Sequence, residues 1–330
     1  MLNKEEKLNP KLFDEDVEQV PIRNGYGEGL LVAGEQDPNV VVLCADLSES
    51  TRSEAFAKKY PERFIEMGVA EQNMATIAAG LGISGKVAFM SSYAVFSPGR
   101  NWEQIRTTIS YNNSNVKIAG HHAGISVGPD GATHQAIEDI ATMRVMANMK
   151  VFVPCDAIEA KKATIAAANI YGPVYLRFAR EKTPVVTTEG TPFTPGKAEI
   201  FWQSKKPQVA IIACGPLVYN ALLAARDLEK DGIGAMVVNN HTIKPMDEKR
   251  ITEVAKKCGA VVTVEEHQVM GGMGSAVAEV LAKKQPTPIE FIGMQDVFGE
   301  SGPPKELIEK YGMGVKDIKA AVKRVIKRKK

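Results

Sequence analysis

GVAEQNMATIAAGLGISGKVAFMSS, residues 68–92, spells out one helix-then-strand unit. Gly68 permits a sharp turn, a helix is expected over Ala70–Ile83, and the apolar run KVAFMSS (86–92) reads as a buried strand. Ala70, Ala75, Ala78, Ala79, Gly80 and Gly82 keep that helix slim enough to pack closely against a neighbour. The rhythm continues in both directions. Strands are expected at VVVLCADL (40–47), VKIAGHH (116–122), VFVPCD (151–156) and PVYLRFA (173–179). Helices are expected at Asn24–Gln36, Arg100–Tyr111, Gln135–Asn148 and Ala157–Ile170. Short apolar runs alternating with longer helical patterns predict a parallel α/β architecture.

The pattern stops after Arg180. EKTPVVTTEGTPFTPGKAEIFWQSKKP (181–207) is rich in Pro, Thr and Gly and reads as a linker with one short hairpin. A second alternation follows, with strands expected at QVAIIACG (208–215), GAMVVNNHTI (234–243), AVVTVEEH (260–267) and PIEFIG (288–293). The expected division is an N-terminal arm (1–20), an α/β domain (21–185), a linker (186–206) and a second α/β domain (207–330), each domain a three-layer α/β/α sandwich.

Composition sets outer bounds. The chain has 330 residues, 44% hydrophobic and 24% charged, which suffices for two buried cores. A net charge of +2 gives no reason to expect nucleic acid as a partner. The basic tail KRVIKRKK (323–330) reads as a solvated last helical turn, where cations are favoured. The four cysteines lack CxxC spacing and read as reduced core residues. No stretch of 18 apolar residues and no signal peptide is recognisable, so no membrane span and a cytoplasmic location are expected. The polar segment MLNKEEKLNPKLFDEDVEQ (1–19) is expected to be a loosely ordered arm.

In parallel sheets, ligands gather at the carboxyl ends of strands. Asp46, Ser92 with Tyr93, His121 with His122, and Arg180 all fall there. The loop GHHAGISVGPDGATHQAIEDI (120–140) adds Asp130 and His134. Taken singly, each has a plain reading: a Glu in a first helical turn is a dipole partner, and an Arg ending a strand is a surface ion-pair partner. Their conjunction is more specific. Glu71 opens the small-residue helix, and SSYAVFSPGRNWEQIR (91–106) brings two aromatic rings to a strand end. EEHQVMGGMGSAVAE (265–279) opens a helix with glycines, for which a structural role is expected. His241 and His267 are expected at the surface or at an interface.

GVAEQN and GPDGATHQ together resemble the transketolase family of thiamine-diphosphate enzymes, and the resemblance runs over residues 20–320. It implies a pyrimidine-binding module followed by a transketolase C-terminal-like domain. No GDG stretch, the family's Mg²⁺-diphosphate motif, occurs in the sequence. The resemblance therefore implies half of a split enzyme. A partner subunit would hold the diphosphate and Mg²⁺, no metal site would lie here, and two chains of each kind would form an α2β2 assembly of the pentose phosphate pathway. Glu71 matches the carboxyl that hydrogen-bonds N1′ of the aminopyrimidine and promotes proton removal from C2. Tyr93 and Phe96 match the aromatic faces for the ring, with Tyr93 replacing the usual Phe. Leu47, after Asp46, matches the aliphatic support under the bent cofactor. Arg23, Ser50, His122 and Arg180 match the ligands of a sugar phosphate, for which a planar, permanently charged fork is well suited. Asp130 and His134 match contacts to hydroxyls near the reacting carbons, and His134 would assist proton transfer. Where the family has an Asp beside the position of His122, this chain has Ala123.

Other readings stay open at this level. Deoxyxylulose-phosphate synthase shares GxAEQ and DGxTHQ, and the β subunit of 2-oxo-acid dehydrogenases shares the architecture without needing a sugar-phosphate clamp. A regulatory pseudo-subunit that binds without catalysing is the non-enzymatic alternative. The joint presence of Glu71, His122, Asp130 and His134 argues against it.

Overall fold

The computed structural model describes residues 1–329. Two sheets organise it. The first has seven strands in the order Thr242–Lys244, Lys150–Phe152, Val174–Arg177, Val116–His121, Val87–Tyr93, Val40–Cys44, Phe64–Glu66. All pair in parallel except Thr242–Lys244, which runs antiparallel against Lys150–Phe152. The second has five strands in the order Ile289–Met294, Val261–Gln268, Val209–Ala213, Ala235–Asn239, Glu199–Gln203, the last antiparallel. Helices Ile22–Gln36 and Ala157–Ala168 pack on the first sheet and on each other. They meet where Gly25 lies so close to the backbone of Ala157 that a Cβ would sit 1.8 Å from its carbonyl oxygen. The expected two-domain, three-layer α/β/α fold is what forms.

Several details differ from expectation, most of them through a long-range contact. The run GAMVVNNHTI is not one strand. Ala235–Asn239 stays in the second sheet, and Thr242–Lys244 crosses to the edge of the first. Within the expected linker, Glu199–Gln203 is an edge strand, and Thr187 is pinned by its backbone and hydroxyl to the buried Asp156 carboxylate at 2.6 and 2.8 Å. The N-terminal segment is not a loose arm. Leu12 is fully buried, Asn3 N–H donates to the Phe201 carbonyl at 2.9 Å, and Gln19–Pro21 pairs with Lys182–Pro184.

The helix expected over Arg100–Tyr111 is a short turn, Trp102–Gln104, that widens into a π-helix over Ile105–Ser110. There the hydroxyls of Thr107 and Thr108 bond back to the carbonyls of Glu103 and Gln104, competing with the backbone ladder. The helix expected over Gln135–Asn148 shrinks to Asp139–Arg144, because Ala136 bridges to Ala123 and Gln135 is engaged elsewhere. The last helix ends at Ile326, and Lys330 of the basic tail lies outside the described residues.

One apolar cluster is continuous across both sheets, from Leu43 and Met90 through Val151, Val153 and Tyr175 to Ile212 and Val238. All four cysteines are buried and unpaired, as their apolar surroundings suggested. Among the described residues, no helix is long and apolar enough to cross a membrane.

Candidate active site

The carboxyl ends of the central strands of the first sheet form the floor of the site. Sheet register sets Tyr93 beside His121 and Cys44 beside Ser91, so that Leu47, Tyr93, His122 and Arg180 emerge from neighbouring strand ends. Glu71 is the first residue of helix Glu71–Ile83 and only 4% exposed. Its carboxylate is not in apolar surroundings. Arg100 Nη1 donates to both oxygens at 3.0 and 3.2 Å, while Asn101 Nδ2 donates to the Glu71 carbonyl at 3.0 Å. The Arg100 guanidinium also lies over the Phe96 ring, 4.1 Å from its centroid. One nitrogen serves both carboxylate oxygens, so each keeps lone-pair capacity for another partner.

Tyr93 and Phe96 are stacked with centroids 5.9 Å apart and planes 21° from parallel. His134 meets Phe96 edge-on at 5.5 Å, and the His122 ring lies 3.9 Å from Tyr93. His134 Nδ1 is 2.9 Å from the Thr133 hydroxyl. Asp46 is exposed, in the left-handed backbone region at φ 56, and its N–H donates to Glu66 Oε1 at 2.7 Å. The same oxygen takes the Gly68 N–H at 3.0 Å, so Glu66 ties together the loops that carry Leu47 and Glu71. Leu47 is half-buried, its carbonyl accepting the Thr51 N–H.

The four expected anion ligands converge. Arg23 Nη1 donates to the Ser50 carbonyl at 2.8 Å and contacts His122 Nε2 at 3.0 Å. An arginine can only donate, which makes His122 Nε2 the acceptor and places the ring proton on Nδ1. Burial first, then Arg23, Arg180, His134 and Arg52, pushes the His122 pKa down to about 3, so the ring is neutral. Burial first, and then Arg52 and Arg180, also lowers the pKa of Arg23. Two buried donors here, His122 Nδ1 and Arg23 Nε, have no acceptor. Arg180 Nη1 donates to the Val127 carbonyl at 2.8 Å and lies 3.6 Å from Asp130, while its Nε lies 3.7 Å from Glu181. The result is a cationic cluster equipped to receive an anion.

Arg100, Glu66 and Arg52 were not singled out from the sequence. Arg100 is 29 residues from Glu71, and no local pattern links the two. His121, at a strand end, lies behind the site instead of in it. It is fully buried between Tyr26 and Phe178, with neither ring nitrogen bonded and its pKa well below the usual value through burial. Ser92 is likewise buried, its hydroxyl unpartnered. His241 and His267 are not surface groups either: both are fully buried. Burial drives His241 to about 3 and, as the main influence, His267 to about 4. The glycine-opened helix Met273–Lys284 already has a carboxyl acceptor at its start. Glu265 accepts the N–H groups of Met273 and Gly274 at 2.7 and 2.8 Å, which bears out the structural reading.

The model of the transketolase pyrimidine-binding domain matches residues 18–185, and that of the transketolase C-terminal domain matches residues 196–318. A putative transketolase C-terminal section from Methanocaldococcus jannaschii is 45% identical over 94% of this chain and 96% of its own length. A 6-deoxy-6-sulfo-D-fructose transketolase subunit from a Clostridium strain is 38% identical over 96% of this chain and 98% of its own. Among solved structures, a split-gene transketolase described as an inactive β4 tetramer superposes with a TM-score of 0.88 at 48% identity, covering 94% of this chain and all of that one. With both domain models matched in order and relatives aligned over nearly their whole length, the chain belongs to the transketolase family, as a subunit of the split type.

Proposed function

We propose that this chain is the C-terminal subunit of a two-subunit transketolase, transferring a two-carbon ketol unit from a ketose phosphate to an aldose phosphate. The observation that carries this reading is the cluster of Arg23 and Arg180 around the neutral His122, with two buried donors unpartnered, set beside the stacked Tyr93 and Phe96. A terminal phosphate would satisfy those donors. A dehydrogenase β subunit has no need of such a cluster.

The pyrimidine-binding domain implies thiamine diphosphate. The residues present fit the ring: a buried carboxylate with spare acceptor capacity, two aromatic faces and a half-buried leucine on the adjoining loop beside Asp46. When bound, thiamine diphosphate supplies a carbon nucleophile and an electron sink for cleaving and forming the C–C bond. Glu71 would hold a proton at N1′ of the pyrimidine, while Tyr93, Phe96 and Leu47 orient the ring and exclude water. Arg23, Ser50, His122 and Arg180 would bind the terminal phosphate. Asp130 and His134 would contact substrate hydroxyls, with His134 moving a proton at the donor carbonyl. Mg²⁺ and the diphosphate would belong to the N-terminal partner subunit, in an α2β2 assembly. Four unpaired thiols are in keeping with a reducing, cytoplasmic setting.

The relative described as an inactive β4 tetramer supports self-association and the need for a partner. The test is reconstitution with a subunit carrying the GDG motif, in the presence of thiamine diphosphate and Mg²⁺. Ketol transfer between sugar phosphates is expected from the mixture and not from either chain alone. Activity with pyruvate and lipoamide but none with sugar phosphates would overturn the reading. The sulfofructose relative gives a second reading, in which the clamped anion is a sulfonate, and a sulfonated ketose donor in the same assay decides between them.

A further inference from the structure

We infer that the C-terminal domain sets the position of the substrate loop, and that Glu266 is the positioning residue through which it does so. The loop, Gly124–His134, carries Asp130 and leads into His134. Its backbone is weakly self-determined: Gly124, Gly128 and Gly131 all take positive φ, at 88°, 79° and 71°. Contacts from outside the loop supply the missing restraint. Glu266, 1% exposed on strand Val261–Gln268, accepts the Ser126 N–H through Oε1 at 2.5 Å. Its side chain fills the space beside Gly124, where a Cβ would sit 2.3 Å from that oxygen.

The segment 299–304 closes over the rest. A Cβ at Gly131 would meet Ser301 Oγ at 2.5 Å, and one at Gly128 would meet Pro304 at 2.9 Å. Gln135 Nε2 bridges the Ile125 and Glu300 carbonyls at 3.1 and 3.0 Å. From the first domain, Arg177 Nη2 grips the Glu266 carbonyl at 2.8 Å while its Nε pairs with Asp139 at 2.8 Å. On the opposite side, Arg180 holds the Val127 carbonyl and faces Asp130. The loop is thus held between an anion-binding arginine and the second domain. A carboxylate accepting a buried N–H is a strong, directional restraint. This role presupposes the transketolase reading only where it refers to Asp130 and His134 touching substrate.

Amide exchange on the full chain tests the restraint without any activity assay. Glu266→Ala should speed exchange of peptides covering 124–134 by about tenfold or more, the scale of one charge-assisted hydrogen bond. Strands 116–121 and 209–213 should keep wild-type protection. Glu266→Gln retains an acceptor oxygen and should restore most of the loop's protection. If Glu266→Ala does not fold, Glu266→Asp, one methylene too short, should show the same local loosening in weaker form. In the reconstituted complex, kcat should fall about tenfold or more for Glu266→Ala, with and without a phosphate on the acceptor, and recover in Glu266→Gln. Unchanged loop exchange, exchange raised equally in both domains, or a loosened loop with unchanged kcat would overturn the inference. A wild-type complex without transketolase activity would instead overturn the functional reading and leave the exchange result standing.

Discussion

Arg23→Ala should cost the reconstituted enzyme more than Arg180→Ala, although both arginines are proposed to bind the same anion. The difference lies in what already neutralises each. Arg180 lies within 3.6 Å of Asp130 and 3.7 Å of Glu181, so part of its charge is spent inside the protein. Arg23 has a backbone carbonyl and a neutral imidazole as partners, and its Nε has none. A charge-assisted hydrogen bond to phosphate is worth about 1.5–3 kcal/mol, or about ten- to a hundredfold in kcat/KM. Arg23→Ala should fall near the upper figure and Arg180→Ala near the lower. The loss should appear mainly in KM, because a remote phosphate is bound alike in the ground and transition states. Steady-state kinetics with an aldose phosphate and with glycolaldehyde is the assay, and glycolaldehyde should be nearly indifferent to both substitutions. The free chain offers a control. Arg23 is, after burial, the largest influence holding His122 near 3, so Arg23→Ala should move the ring's NMR titration up toward the ordinary histidine range. Equal losses for both acceptors, or a larger loss for Arg180→Ala, would refute the charge argument.

Other expectations follow from the same geometry. Glu71→Gln should abolish deuterium exchange at the cofactor's C2 in the reconstituted complex while leaving assembly intact; exchange at the wild-type rate would clear Glu71 of its role. Arg100→Gln removes the donor to both Glu71 oxygens and should slow that exchange by about tenfold; no change would reduce Arg100 to a surface group. Calorimetric titration of the isolated chain should give no submicromolar binding of thiamine diphosphate with Mg²⁺. His241 has a folded pKa of about 3, below its unfolded value near 6.5, so its contribution to stability is full above pH 6.5 and is lost as pH falls toward 3. At pH 5 that loss is about 2 kcal/mol, at 1.36 kcal/mol per pH unit. Comparing wild type with His241→Leu by denaturant unfolding cancels the buried carboxyls, which titrate in both. The stability difference should shift by about 2 kcal/mol between pH 7.5 and pH 5, and a constant difference would contradict the assignment.

What was legible in the sequence had a local signature. Apolar runs bounded by turns located Val40–Cys44, Val87–Tyr93 and Val116–His121 to within a few residues. Strand ends located Tyr93, His122 and Arg180. What was not legible depends on contacts that no window of sequence contains. The buried state of Leu12, His241 and His267 follows from packing against distant segments. Arg100 reads as an ordinary helix-start arginine until the fold brings Glu71 to it. Arg177, at the end of a short strand, carries no local sign of burial, yet it is 3% exposed and paired with the buried Asp139 beneath the Gly124–His134 loop.

The antiparallel placement of Thr242–Lys244 on the first sheet has a consequence for how this protein could be divided. Its backbone covers the edge of Lys150–Phe152, and an uncovered edge is a template for intermolecular pairing. Residues 1–205 expressed alone would expose that edge together with Val151 and Val153, whose apolar neighbours are shared with the other domain. The two domains are therefore joined by a shared strand and a shared core. A break between them would remove a strand from the first sheet and open the apolar cluster that both domains share.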